Sequence, residues 1–537
     1  MGEARRDEPR SPAGGLRERA DSEIEGATKE TVKKEVIDKL RRILDAWSVV
    51  DDETELLVYE CDGLPLFKNR PDVVVFPQTA AQVAQIVRLA NEYAVPFLPR
   101  GAGTGLSGGA LAVEGGIVVE LQRMNRILSI DVENRIAVVQ PGVVNLHISQ
   151  ATAPFGLYYA PDPSSQMSCS IGGNVAENSG GPHCLKYGMT TNHILELEAV
   201  TAKGDLIRLG NRAGEPIGMD LVGAIVGSEG TFVIVTEITV RLLPKPQAVK
   251  TLLAAFHSVE ECSQTVSDVI AAGIVPSALE FVDAKTIEAV EASVYKAGYP
   301  KDAVAALLIE VDGFREGLEE TSDAIVEICR RNRAYEVRVA KDDEERARLW
   351  LGRKGAFGAM GRLAPDMITM DAVIPRTRLP EVLVAIDRMS ERYGLSVANV
   401  FHAGDGNLHP LILFDGRHPD QVEKIFAMSE EIMRLCVDVG GALSGEHGIG
   451  YEKKDFMDLV FTHGDLETMM RVKRVFNPDG LLNPGKIFPS GRGCAEIGKH
   501  TTTSTAEIGR RVEEVLLGAG VRPVGPALQQ KGPRIDD

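Results

Sequence analysis

The segment Pro99–Leu111, Pro-Arg-Gly-Ala-Gly-Thr-Gly-Leu-Ser-Gly-Gly-Ala-Leu, constrains this chain more than any other. Gly101, Gly103, Gly105, Gly108 and Gly109 leave a run of backbone almost without side-chain cover. Such a loop reaches positive φ repeatedly and turns successive N–H groups into a concave nest for anionic oxygens. Arg100 sets a fixed positive charge at its entrance. A flexible linker would share the glycines but lack ordered apolar flanks. Here Val73–Phe76 and Phe97–Leu98 read as strands. Between them, Thr79 with Gln82 forms a capping box, and Val83, Ile86, Val87 and Ala90 share one helical face. A βαβ unit therefore presents the loop as a site.

Gly103-Thr104-Gly105-Leu106-Ser107-Gly108 also spells G-x-G-x-x-G. In a dinucleotide-binding βαβ unit a helix opens inside that motif, so that its N-terminus meets the pyrophosphate. Here Gly115-Gly116 and the strand-like Ile117–Leu121 follow too soon for a helix of useful length. The nicotinamide-type reading is rejected, and phosphates are expected to rest on loop amides alone.

A chain of 537 residues, 44% hydrophobic and 25% charged, is long enough for two or three ordinary globular domains. Its net charge of −18 argues against nucleic acid as a partner and against anionic membranes. Seven cysteines without a C-x-x-C pair exclude a zinc ribbon, argue against a cysteine-held iron–sulfur cluster and fit a reducing compartment. The N-terminus has no apolar leader segment and no apolar run reaches membrane-spanning length, so a cytoplasmic protein is expected, with docking on a membrane-bound partner left open.

Residues 1–32 read as a disordered tail and 490–537 as a mostly flexible one, apart from an amphipathic piece at Ile508–Leu517. Within 33–246, a helix bearing Val36, Leu40, Ile43 and Leu44 precedes the βαβ unit. Hairpins are expected at Ile127–Val139 and Leu195–Leu209, a short helix at Asn145–Ala153, and β structure over Phe232–Leu243. A second glycine- and serine-bearing segment, Pro161–Gly181, runs on to Asn192 with few core-forming residues. Pro244 and Pro246 mark a boundary. From 247 to 489 strands at Leu252–Phe256, Ala278–Phe281, Ala306–Val311 and Tyr335–Val339 alternate with helices near 258–272, 317–332 and 343–360. The pattern is α+β, an open sheet covered by helices.

The second half carries the sharpest chemistry, Phe401-His-Ala-Gly-Asp-Gly-Asn-Leu-His-Pro410. His402 ends one apolar strand and His409 begins another, with two glycines between them to turn the chain. Two imidazoles at one point suit a divalent metal, and Gly445-Glu446-His447-Gly448 offers a carboxylate beside a third imidazole. The competing reading gives each histidine only a local hydrogen bond. Arg353, beside Trp350 on an otherwise apolar helix, is either a snorkelling surface residue or a grip for a carboxylate.

Together these pieces resemble flavoproteins of the vanillyl-alcohol-oxidase type, with a PCMH-type FAD-binding domain of two α+β subdomains. The glycine loop, Pro161–Gly181, Gly227–Thr231 and Asn483-Pro-Gly-Lys486 carry that resemblance, over about Arg70 to Phe488. His-x-Gly-Asp-Gly-Asn-x-His, Gly-Glu-His-Gly and the run Arg353–Phe357 with Met370–Pro375 are most similar to the glycolate oxidase and D-lactate dehydrogenase branch. The resemblance implies FAD contacts from Arg100, Gly101, Ala102, Gly103, Thr104, Gly105, Leu106 and Ser107. It implies others from Pro161, Ser168, Gly172, Gly173, Asn174, Thr190, Gly230 and Asn483. It further implies His402, His409 and Glu446 as ligands of Zn²⁺ or Mn²⁺, His447 as base and Arg353 as carboxylate clamp. Thr104 stands where covalent members carry a flavin-linking histidine, so noncovalent FAD is expected. No lysine lies near Thr369 to hold a distal carboxylate, which favours glycolate or D-lactate. The electron acceptor, other than NAD, stays open among a quinone, a cytochrome, an electron-transfer flavoprotein and an iron–sulfur partner subunit. A non-catalytic flavin-carrying subunit, or an oxidase of another alcohol, is the alternative.

Overall fold

The computed structural model describes residues 32–214 and 218–489. The two expected tails, with the amphipathic Ile508–Leu517 piece, lie outside the described residues, except for Val32, which is buried.

The first sheet joins β1 (Val49–Val50), β2 (Val73–Val75), β3 (Phe97–Arg100) and β4 (Ile117–Glu120) in the order β1-β2-β4-β3. β2 and β3 both run parallel to β4, the arrangement a βαβ crossover produces. The crossover is the helix Ala80–Glu92, opened by the Thr79–Gln82 capping box and burying Val83, Ile86, Val87 and Ala90. The helix Lys34–Ile43 packs Val36 and Leu40 into the same core.

An all-antiparallel second sheet follows, built from β5 (Ile127–Asp131), β6 (Ile136–Val139), β8 (Ile194–Thr201), β9 (Leu206–Gly210) and β10 (Val233–Arg241) in the order β5-β6-β10-β8-β9. Between β6 and β8 the short β7 (Leu157–Tyr158) pairs with β11 (Leu243–Pro244). The two expected hairpins are β5–β6 and β8–β9.

The carboxy-terminal lobe holds β12 (Ala248–Phe256), β13 (Ala278–Asp283), β14 (Ala305–Gly313), β15 (Glu336–Val339), β16 (Asp366–Thr369), β17 (Ala372–Val373), β18 (Ser396–His402), β19 (Asn407–Leu408) and β20 (Pro410–Phe414). They form one antiparallel sheet in the order β15-β12-β14-β13-β18-β19-β17, with β20 beside β18 and β16. Strand alternation sends Leu252, Phe281 and Leu307 to one helix-covered face and Leu253, Val282 and Leu308 to the other. The helix Asp343–Ala359 covers the second face and carries Arg353, while Leu379–Tyr393 packs Val382 and Ile386 against the first. No helix among the described residues is long and apolar enough to cross a membrane.

Candidate active site

A cavity of about 420 Å³ lies between the glycine loop and the carboxy-terminal sheet. β3 delivers Arg100 and the loop to its wall, and Gly103 and Gly108 take φ of 66° and 76°. Gly101 is constrained by space rather than by φ: a Cβ there would run into Ser170 Oγ. Ser170 in turn caps a helix, Ile171–Glu177, by accepting from Gly173 N at 3.3 Å. The opening turn of a helix therefore stands beside the nest and lines the same cavity. Gly172 and Gly173 disguise it as a loop, whereas its Ser170 cap and the buried pair Ile171 and Val175 are the signals that define it. Arg100 is buried, with Nε 3.6 Å from Glu120 Oε2. Burial pushes the Glu120 carboxyl up to about 8, so at neutral pH Arg100 keeps its charge for the cavity.

Of the residues singled out in the sequence, Arg100 through Leu106, Gly172, Gly173, Asn174 and Gly230 line this wall. Five others do not. Ser107 turns its carbonyl to the amides of Tyr451 and Glu452, at 2.8 and 3.0 Å. The Pro161 carbonyl accepts from Asn145 Nδ2, and the Thr190 hydroxyl donates to the Ser179 carbonyl. Ser168 is exposed and donates to Ser165 O. Asn483 Nδ2 donates to the carbonyls of Gly109 and Glu229, at 3.1 and 2.9 Å, so it braces the wall from behind.

The opposite wall is built by sheet register. Glu280 on β13 stands directly across from His402 on β18, and both oxygens of Glu280 lie 2.9 Å from His402 Nδ1. Glu280 also meets Arg353 Nη2 at 2.5 Å, reaching up to the covering helix. Against the cost of burial, Arg353 and His402 hold the Glu280 carboxyl below its usual range. Arg353 is therefore buried and partly engaged rather than snorkelling, with Nε lacking a hydrogen-bond partner among the described residues.

His402 and His409 flank the hairpin turn, their ring centroids 5.3 Å apart. Their Nε2 atoms lie 3.1 and 3.0 Å from the same oxygen, Glu446 Oε1. His402 donates from Nδ1 to Glu280, and His409 Nδ1 lies 3.3 Å from the Met370 carbonyl. Against burial, Glu280 and Glu446 push the His402 imidazole above its usual range, so a cation at this point would take the place of the proton between His402 and Glu446. Three electron-rich atoms then converge on one point, a donor set that fits a divalent cation. His447 stacks on His409 with centroids 5.0 Å apart, and burial pushes its imidazole down to about 4. Its Nδ1 is buried without a partner among the described residues.

The chain is 48% identical over 475 residues to the glycolate oxidase subunit GlcD of Escherichia coli strain K12, an alignment covering 88% of this chain and 95% of that one. It belongs to the FAD-linked oxidase family. Residues 71–210 match the family described as FAD binding domain, and 245–487 the one described as FAD linked oxidases, C-terminal domain. The D-lactate dehydrogenase of Anaerostipes hadrus is 32% identical over 465 residues, covering 85% of this oxidase and 98% of that chain. A structure of p-cresol methylhydroxylase superposes with a TM-score of 0.75 at 17% identity, covering 87% of the oxidase and 99% of that chain, and so shares its fold.

Three supports of this oxidase's site receive no role from the sequence alone, although the first lies in the Met370–Pro375 run. Asp371 accepts from the amides of Gly445, Glu446 and His447 at 3.0–3.1 Å, from Ser444 Oγ at 2.7 Å and from Lys453 Nζ at 2.9 Å. Those donors saturate its carboxylate, so Asp371 shapes the Glu446–His447 turn although it lies near His409 and His447. Glu280 is the second support. The third is His183, stacked on Trp350 and set between Asp162 and Glu310 at 2.9 and 3.3 Å; against burial, the two acids push it up to about 10. It ties the Pro161–Asn192 segment to β14.

Proposed function

We propose that the chain oxidises glycolate or D-lactate to the 2-oxo acid, with noncovalent FAD on the glycine nest and Zn²⁺ or Mn²⁺ at His402, His409 and Glu446. The convergence of two imidazole nitrogens and a carboxylate oxygen on one point at the cavity carries the reading. Bound FAD supplies a two-electron hydride acceptor, and the cation a Lewis acid that eases loss of the hydroxyl proton. Arg353 lines the cavity, and its guanidinium, held by Glu280, suits the substrate carboxylate, which it orients. His447, kept neutral by burial, takes the hydroxyl proton as the carbon–hydrogen bond gives up its hydride. Loss of one hydride and one proton from the alcohol leaves the ketone or aldehyde of the 2-oxo acid. Position 369 carries threonine rather than lysine, which favours a substrate without a second carboxylate. Thr104 offers no imidazole for a flavin linkage.

The relatives named GlcD are oxidase subunits, and we place this chain likewise beside a partner that takes the electrons. In the test, His447→Ala keeps the flavin spectrum and slows anaerobic flavin reduction by glycolate or D-lactate by about 10²–10⁴-fold. Undiminished reduction in that variant removes His447 from the chemistry.

A further inference from the structure

In the turn Gly227-Ser228-Glu229-Gly230, Glu229 holds φ of 53°, a left-handed conformation that glycine adopts without strain and glutamate rarely enters. Its backbone belongs to the wall that carries the glycine nest. The Glu229 N–H donates to the Ala176 carbonyl at 2.8 Å, its own carbonyl accepts from Asn483, and Ser228 through Gly230 line the cavity. Its side chain crosses to the other lobe. Oε1 accepts from Ile449 N at 2.7 Å and Oε2 from Gly450 N at 2.6 Å. Those two amides close the turn that bears Glu446 and His447, and Asp371 holds the other end of the same turn. One short turn is clamped by two carboxylates, one from each lobe.

We propose that Glu229 is a positioning residue that couples FAD binding to cation binding, an inference that rests on the cation site proposed above. A cofactor packed on Ser228–Gly230 fixes the backbone of Glu229. Fixing that backbone fixes Ile449 and Gly450, and with them the direction of Glu446. Strain of this kind persists where the surroundings over-determine it, and here the carboxylate's two cross-lobe bonds do so. Because coupling between binding equilibria is reciprocal, a cation at Glu446 tightens FAD by the same factor by which FAD tightens the cation.

The test measures the FAD dissociation constant of the full chain by flavin fluorescence, after EDTA treatment and again with saturating Mn²⁺. Mn²⁺ is expected to tighten FAD by about 5–150-fold in the wild type. In Glu229→Gly, which relieves the left-handed strain and leaves the wall's backbone in place, that factor falls to about one. Glu229→Gln retains one acceptor oxygen and gives an intermediate factor, which keeps the test decisive where the glycine variant fails to fold. A wild-type factor of one with Mn²⁺ demonstrably bound, or an undiminished factor in the variants, overturns the coupling alone. A wild-type chain that binds neither Mn²⁺ nor Zn²⁺ overturns the cation site and the coupling together.

Discussion

On the amino-terminal wall of the cavity the working groups are mostly backbone amides, whereas on the carboxy-terminal wall they are side chains. The nest from Gly101 to Leu106 is shaped by the positive φ of Gly103 and by the close approach of Gly101 to Ser170. The facing site is shaped by carboxylates that each hold a working group: Glu280 on His402 and Arg353, Asp371 on the Glu446–His447 turn. The two walls therefore fail in opposite ways. Atoms added to the nest do harm, and atoms taken from the turns do harm.

The largest effect tests the side-chain wall. Glu446→Ala removes the oxygen on which both imidazoles converge. Losing the proposed cation, a Lewis acid worth several kcal/mol, slows flavin reduction by about 10³-fold at saturating FAD, as metal analysis and anaerobic spectra of the same sample will show. A variant that retains both metal and rate breaks the contrast.

Next comes the backbone wall. Gly101→Ala drives a Cβ into Ser170 Oγ and costs about 1–3 kcal/mol of FAD affinity, read by titration with FAD. Gly464→Ala, in a helix outside the cavity lining, is the internal control, since its Cβ meets nothing nearer than Thr462 Oγ1 at 3.9 Å. Equal losses at the two positions contradict the steric account of the nest.

Asp371→Asn separates holding from ligating. Its carboxylate is saturated by the turn and by Lys453, so the variant weakens Mn²⁺ or Zn²⁺ by about 10–100-fold in a chelator competition, with FAD affinity measured in the absence of cation nearly unchanged. The smallest effect is a pH dependence. Glu120 is neutral below about 8 and anionic above it, and the anion compensates Arg100. FAD affinity accordingly falls a few-fold as pH rises through about 8, and Glu120→Gln flattens that dependence.

How legible each wall was in the sequence depends on its material. Five glycines within nine residues declare a bare backbone before any tertiary contact is known, and the βαβ unit that presents them is a local pattern. Scarce histidines set across a glycine turn likewise declare a hairpin of imidazoles. The supports are silent because register or lobe contact creates them. Glu280 meets His402 only once β13 pairs with β18, and Glu229 reaches Ile449 only across the two lobes. A signal was nonetheless present at Glu280 and Glu310, each a lone acid facing inward from an apolar strand, since a buried carboxylate requires a partner. The helix Ile171–Glu177 was hidden because local propensity reads Gly172-Gly173 as loop, and tertiary packing of Ile171 and Val175 overrides it.

The decisive measurement is anaerobic stopped-flow reduction of the bound flavin by glycolate and by D-lactate, on one preparation assayed as isolated, after chelation and after restoring Mn²⁺ or Zn²⁺. Two walls working on one substrate require that the stripped protein stay yellow, lose rapid bleaching and regain it with the cation. Bleaching at an unchanged rate in protein shown to be free of metal contradicts the account.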